Sequence, residues 1–370
     1  MKRFILFICF GLFIILAYCQ SKGMHIEWDS SSRHFVNEGS YARVKKLVNG
    51  DLCLVYGYGP DIWLRKSIDG GKNWQAAIKV SSDERYIYTN SELLQLQNGW
   101  LLYMWNARPK KENLYEYKIM AAISRDEGDS WEKEQVLYAA EKIFCDGCWE
   151  PAALQLPSGE IQVYFANEGP YTQSSEQEIT LLRSYDNCES WSVPQTVSFR
   201  AGSRDGMPVP LMLQNGSGIV MAIEDNGIAG RFKPVIIRTN DNWHSGVVDA
   251  GSPYRTHALD ERCQLPDSIY AGAPYIIQLT NGATMLSVQS TEGRSGTNEK
   301  FANMQVYIGD DNACNFADPS APFPTLEPHA QALWSSLCQI DENTVMAVSS
   351  LGGMKKDNGI WIVTGKIVID

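Results

Sequence analysis

One short signal recurs along this chain and limits what it can become. Asn49-Gly50, Asn98-Gly99, Ser158-Gly159, Asn215-Gly216 and Asn281-Gly282 each separate two apolar, alternating runs, with Asp341-Glu342-Asn343 as a degenerate sixth copy. Asn-Gly between such runs is a strong hairpin signal, because a type I′ turn needs positive φ at both central residues. Leu52–Tyr56, Leu101–Trp105 and Ile161–Phe165 are the strands that leave the first three turns. The copies are spaced by roughly 50 to 65 residues, the length of a four-stranded antiparallel unit with variable loops. Helical periodicity is nearly absent. Six such units predict an all-β chain, a six-bladed β-propeller of four-stranded antiparallel blades.

A second repeat runs in phase with the first. Ser67-Ile-Asp69-Gly-Gly71-Lys-Asn-Trp74 has the form Ser-x-Asp-x-Gly-x-x-Trp, and returns at Ser124–Trp131 and, with Cys188 in place of the Gly, at Ser184–Trp191. Weaker copies are Thr239–Trp243 and Gly309–Phe316, the latter read with Asp311 as its acid. These resemble the Asp-boxes of sialidases and related propellers. The resemblance implies that Asp69, Asp126 and Asp186 serve their own turns, on the face away from any active site. The physics agrees, since such an Asp accepts N–H bonds inside the turn while the Trp packs between sheets.

In a propeller the innermost strand of each blade lines the central channel, and ligands sit at one mouth of it. The segments upstream of each hairpin turn are therefore the candidates. They are Tyr41-Ala-Arg43, Thr89-Asn90-Ser-Glu92, Trp149-Glu150-Pro151, Arg204-Asp205-Gly206-Met-Pro208, Ala271-Gly-Ala-Pro-Tyr275 and His329-Ala-Gln331. Charged groups at a rim have a bland reading, because they prefer water anyway. As a set they predict a polar pocket, with Arg43, Asn90, Trp149, Asp205, Tyr275 and His329 as substrate-binding candidates. Asp61, in the loop before Ile62–Arg65, is expected on the same rim. Trp149 is the expected stacking platform for a sugar, and Tyr275 a hydrogen-bond donor or else core packing.

Two carboxylates stand out. Glu150 opens the apolar strand that follows it, and Glu224 closes the apolar strand Ile219–Ile223. An inner strand beginning at one mouth and its antiparallel neighbour ending there would bring both to one place. Glycoside hydrolysis commonly uses such a pair, one as proton donor and the other as nucleophile or base. A gap of about 5–5.5 Å would predict retention of configuration and a wider one inversion. An apolar neighbour such as Trp149 would raise a glutamate's pKa by desolvation. The plain alternative is an ordinary strand-end carboxylate.

Cys148-Trp-Glu-Pro151 with Leu156–Tyr164, Asp205-Gly-Met-Pro-Val209 and Ala271-Gly-Ala-Pro-Tyr275 resemble glycoside hydrolase family 93 over about residues 40–290. That resemblance implies a propeller exo-arabinanase that releases arabinobiose from α-1,5-arabinan with retention, and paired catalytic glutamates matching Glu150 and Glu224. The last blade, from Ala321 on, matches no motif of that family. A sialidase is the rival within the fold. Sialidases clamp a carboxylate with three arginines, a bidentate geometry, and use a Tyr–Glu nucleophile. Tyr41-Ala-Arg43 resembles their first arginine motif without its Pro and Arg204 is a second candidate, but Gly272 and His329 stand where others are needed. A third reading is a surface propeller that binds glycan without cleaving it.

The remaining features set boundaries. Lys2-Arg3 and the apolar run Phe4–Tyr18 read as a secretory leader over residues 1–23, too short to span a bilayer comfortably. Cleavage after Cys19 and acylation of Cys19 in a bacterial lipobox are both open, Tyr18 being bulky for the latter. Residues 24–370 are the catalytic propeller, expected as a monomer, secreted, periplasmic or held to the bacterial outer membrane only by a lipid on Cys19. The chain has 32 basic and 43 acidic residues, net −11, which argues against nucleic acid and against an anionic membrane surface. Cys145-Asp-Gly-Cys148 is half of a zinc motif with no second half, so no metal and no cofactor is expected. His25–Trp28 and Ile360–Ile369 are the expected partners that close the ring.

Overall fold

The computed structural model describes residues 23–370; the leader and Cys19 lie outside the described residues. Six antiparallel sheets follow one another along the chain, five of four strands and one of five. Short 3₁₀ turns are the only helical pieces among the described residues, and no helix there is long and apolar enough to cross a membrane. The innermost strands are Ser40–Lys46, Tyr86–Gln95, Cys148–Gln155, Asp205–Met212, Ala271–Gln278 and Gln331–Asp341. Second strands such as Leu101–Pro109 and Ile161–Asn167 are buried along almost their whole length. Burial on both faces lets them carry apolar residues at more positions than the alternation read from the sequence requires.

The ring closes as the termini predicted. Met24–Trp28 pairs antiparallel with the end of Gly359–Ile369, from Met24 against Ile369 to Trp28 against Gly365. His34–Asn37 pairs with the start of the same strand. The outer edge of blade six is thus made by the N-terminal segment, which covers the edge that the C-terminal strand would otherwise expose.

Hairpin turns and Asp-boxes share one face. In the first box Asp69 Oδ1 accepts from Asn73 N–H and from Ser67 Oγ–H, both at 2.9 Å, and Gly71 N–H donates to Ser67 Oγ. The boxes at Asp126 and Asp186 repeat the pattern. These hydrogen bonds hold the carboxyls of Asp69, Asp126 and Asp186 down to about 2. Two weaker copies differ from expectation. Trp243 stands at the glycine position of its box, donating its N–H to Thr239 Oγ1. In the fifth copy Asp310, not Asp311, accepts from Cys314 N–H. Neighbouring blades are tied on this face by a repeated bond: a turn N–H of one blade donates to a glutamine ending the next inner strand. Val48 reaches Gln95, Gln97 reaches Gln155, Gln214 reaches Gln278 and Thr280 reaches Gln339.

On the opposite face all six inner strands carry the same defect. The ladder slips at Ser40/Arg43, Thr89/Glu92, Trp149/Ala152, Gly206/Val209, Gly272/Tyr275 and Leu333/Ser336. In each slip two residues oppose one, a β-bulge. The first bulged residue is left-handed every time: Tyr41, Asn90, Glu150, Met207, Ala273 and Trp334, with φ from 46° to 54°. Such values are uncommon outside glycine. The second bulged residue has no ladder bond to lose, so Pro151, Pro208 and Pro274 fit there.

Deleting residues 25–35 removes the outer edge of blade six and with it several kcal/mol, so Tm should fall by ~10 °C or more. An unchanged Tm in a thermal melt would refute the closure.

Candidate functional site

A strand shows its side chains alternately to its two faces. The bulge breaks that alternation and turns the first bulged side chain toward the channel mouth. Tyr41, Met207, Ala273 and Trp334 meet there in one apolar cluster. Tyr41, Asn90, Glu150 and Trp334 also line a cavity of about 350 Å3 whose other walls include Ser40, Thr89, Arg108, Phe144, Trp149, Gln177, Arg204, Glu224 and Phe232.

Glu150 and Glu224 line this cavity together. Glu224 ends the second strand of blade four, opposite Gly206. Its Oε2 accepts from Ala273 N–H at 2.7 Å. A Cβ on Gly206 would stand 3.0 Å from Glu224 Oε1, and one on Gly272 2.4 Å from Oε2 and 2.5 Å from the Tyr270 hydroxyl. Neither glycine has a positive φ; they are required because any side chain would displace the carboxylate. Burial pushes the Glu224 carboxyl up to about 8, helped by the charge of Glu150. Burial also raises Glu150, to about 7, against the pull of Arg108 and Arg204. Glu224's rise thus in part reflects the charge of Glu150.

The guanidinium groups are held differently. Arg204 pairs with Glu168, and donates to Gln177 Oε1 at 2.6 Å. Glu168 is buried and also accepts from Trp149 Nε1 at 2.9 Å. Arg108 lies over the Trp149 ring, 4.8 Å from its centroid, and donates to the amide oxygens of Asn106 and Asn90 at 2.7 and 2.5 Å.

Several expected binding residues stand elsewhere. Arg43 is buried inside the channel, donating to the carbonyls of Trp334, Ala42 and Ser335 and lying 4.1 Å from the Tyr41 ring centroid. Tyr275 is buried beside it, its hydroxyl accepting from Lys45 Nζ at 2.7 Å. Lys45 in turn meets Glu92 at 2.9 Å. These groups plug the channel and do not line the cavity. Asp205 is fully buried in a cluster with Arg255, Ser198 and Asp225. Its side chain follows the strand alternation away from the mouth. Asp61 pairs with Lys79 at 2.5 Å on the third strand of its blade. His329 is exposed before the last inner strand and packs on Phe301; Trp334, five residues on, holds its place. Trp149 does line the cavity but is only 4% exposed, with Phe144 and Tyr117 also against it. It is a wall rather than an open platform. Asn90 is where it was expected. All seven cysteines beyond the leader are free thiols, Cys145 exposed and Cys148 buried.

Residues 99–242 match the model of a BNR repeat-like domain. By sequence, no curated protein matches the chain. Among solved structures, the GH93 α-L-arabinofuranosidase of Fusarium graminearum with arabinobiose is similar at 18% identity and TM-score 0.66, covering 93% of this chain and 94% of that one. The α-L-arabinanase of Penicillium chrysogenum complexed with arabinobiose gives 19% and 0.66, over 94% and 98%. The NanB sialidase of Streptococcus pneumoniae gives 13% and 0.59, over 90% and 69%. At such identities the likeness establishes the fold alone, a six-bladed propeller.

The raised carboxyls have a cost in stability. The folded chain holds more protons than the unfolded chain between about pH 4.5 and 8, so these groups make stability fall as pH rises through that window. Glu224→Gln should therefore raise Tm at pH 8 by ~5 °C, a few kcal/mol at most, with the gain vanishing toward pH 5. Melts at the two pH values check this; an equal shift at both would contradict it.

Proposed function

We propose that this chain is an exported, exo-acting glycoside hydrolase that cleaves a neutral glycan of the α-1,5-arabinan kind, with retention, using Glu150 and Glu224. The observation that carries this reading is the meeting of two carboxyls, both raised toward neutral pH, in one cavity. Raised values suit a pair that must keep one proton and lose another near neutrality. In the proposed reaction one carboxyl gives its proton to the glycosidic oxygen while the other attacks the anomeric carbon and forms an ester. Water, deprotonated by the first residue, then releases the sugar and restores both groups.

Tyr41 and Trp334 of the cavity wall pack with Met207 and Ala273 in one apolar cluster across the ring, which favours entry of a chain end over passage of a chain middle. Charge favours a neutral sugar. Of the lining arginines, Arg204 is already paired with Glu168, and Arg108 shares the cavity with the one ionised carboxyl of the Glu150–Glu224 pair. A three-arginine clamp for a carboxylate has no counterpart in that lining, since Arg43 is spent on backbone carbonyls below it.

The test is hydrolysis by protein spanning residues 24–370 of linear α-1,5-arabinan, an aryl arabinofuranoside and an aryl sialoside. Arabinobiose should be released from arabinan alone, with Glu150→Gln and Glu224→Gln each lowering kcat by ~10³-fold or more. Cleavage of the sialoside instead would overturn the neutral-glycan reading, and full activity in either variant would remove that glutamate from the mechanism.

A further inference from the structure

Of the two arginines lining the cavity, Arg108 is the one that no carboxylate pairs among the described residues. A guanidinium has five N–H groups in a fixed plane. In Arg108 the Nε–H donates to Asn106 Oδ1 and one Nη2–H to Asn90 Oδ1. Among the described residues no carboxylate or carbonyl accepts the others. Arg204 contrasts with it, since Glu168 and Gln177 hold that side chain.

The fork of Arg108 is also built to stay put. Asn106 is fully buried, and its Nδ2 donates to the carbonyls of Cys148 and Lys118 at 2.7 and 3.1 Å. Asn90 is the left-handed bulge residue of blade two, 3% exposed. The guanidinium lies over the Trp149 ring, whose own N–H is fixed by Glu168. A planar donor edge, locked on two amides and an indole and lining the cavity beside Glu150, loses little entropy on gripping a ligand.

We propose that Arg108 is a specificity-determining residue that grips a pair of hydroxyl oxygens on the terminal neutral sugar through its unspent N–H edge. The inference rests on the glycosidase reading above and names the group that recognises the sugar. An anionic group is disfavoured at this edge because Glu150 shares the cavity with it. Lysine cannot copy the role, since it keeps the charge and loses the fork.

The experiment is calorimetric titration of arabinobiose, and separately of sialyllactose, into the Glu224→Gln protein with and without Arg108→Lys. Arg108→Lys should weaken arabinobiose roughly 10- to 100-fold, the range for charge-assisted hydrogen bonds, with Tm within a few degrees of the parent. In the otherwise native enzyme Arg108→Gln should move upward whichever limb of the pH–rate profile Glu150 sets, because a positive charge beside Glu150 is gone. Arg108→Lys should leave that limb in place while raising KM. Equal arabinobiose affinity with and without Arg108→Lys would overturn the role of Arg108 and leave the glycosidase reading standing. Binding of sialyllactose but not arabinobiose by the parent would overturn the neutral-sugar assignment, and no binding of either would take both readings down.

Discussion

Everything distinctive about this propeller's upper face depends on a backbone conformation that side chains other than glycine seldom adopt. Each inner strand holds one left-handed residue at its bulge, in all six blades. A single such residue costs on the order of 1–3 kcal/mol. The ladders on either side of each bulge and the packed neighbouring blades hold it in place. In return the strand turns one side chain out of its regular two-face alternation and toward the axis. Tyr41, Asn90, Glu150, Met207, Ala273 and Trp334 are that ring. Four of them line the cavity, and Met207 and Ala273 pack into the apolar cluster with Tyr41 and Trp334.

The second constraint is the desolvation of the two glutamates, and it follows from the first. Glu150 is itself a bulged residue. Glu224 arrives from the adjacent strand and fits because Gly206 and Gly272, each just before a bulge, leave room for its carboxylate. Ala273 N–H, inside the bulge of blade five, fixes one of its oxygens. One backbone irregularity therefore supplies a cavity carboxyl in one blade, a notch in two others and a hydrogen-bond donor. The stability lost by raising both carboxyls is borne by a ring whose opposite face is tied by Asp-boxes and glutamine bridges.

Much of this was legible in the residues, and the misses have one cause. Hairpin turns and Asp-boxes are local, so the blade count, the strand order and the closure by the N-terminal strand could be read directly. Glu150 and Glu224 were read at one mouth from their places at strand ends, and both line the cavity. Arg43 and Asp205 were placed at the rim, and Tyr275 left between rim and core, because strand alternation cannot say which residue of a segment leaves the alternation. The signal was present in the spacing. Tyr41, Asn90, Glu150, Met207 and Ala273 each stand eight residues before the first residue of their hairpin turn, and Trp334 stands eight before Glu342. Applied to blade six, that rule selects Trp334 and rejects His329. Arg108, Gln177 and Phe232 carried no such mark. They come from strand ends and loops whose approach to the axis only the closed ring defines.

On this reading the chain end of a neutral glycan is held between Glu150 and Glu224. A crystal structure of the Glu224→Gln protein soaked with arabinotriose tests it. The non-reducing end should lie inside the cavity, with a glycosidic oxygen within hydrogen-bond distance of one of residues 150 and 224 and the other facing the anomeric carbon. A trisaccharide bound on the Asp-box face, or lying across the mouth with both residues out of reach of the glycosidic bond, would contradict it.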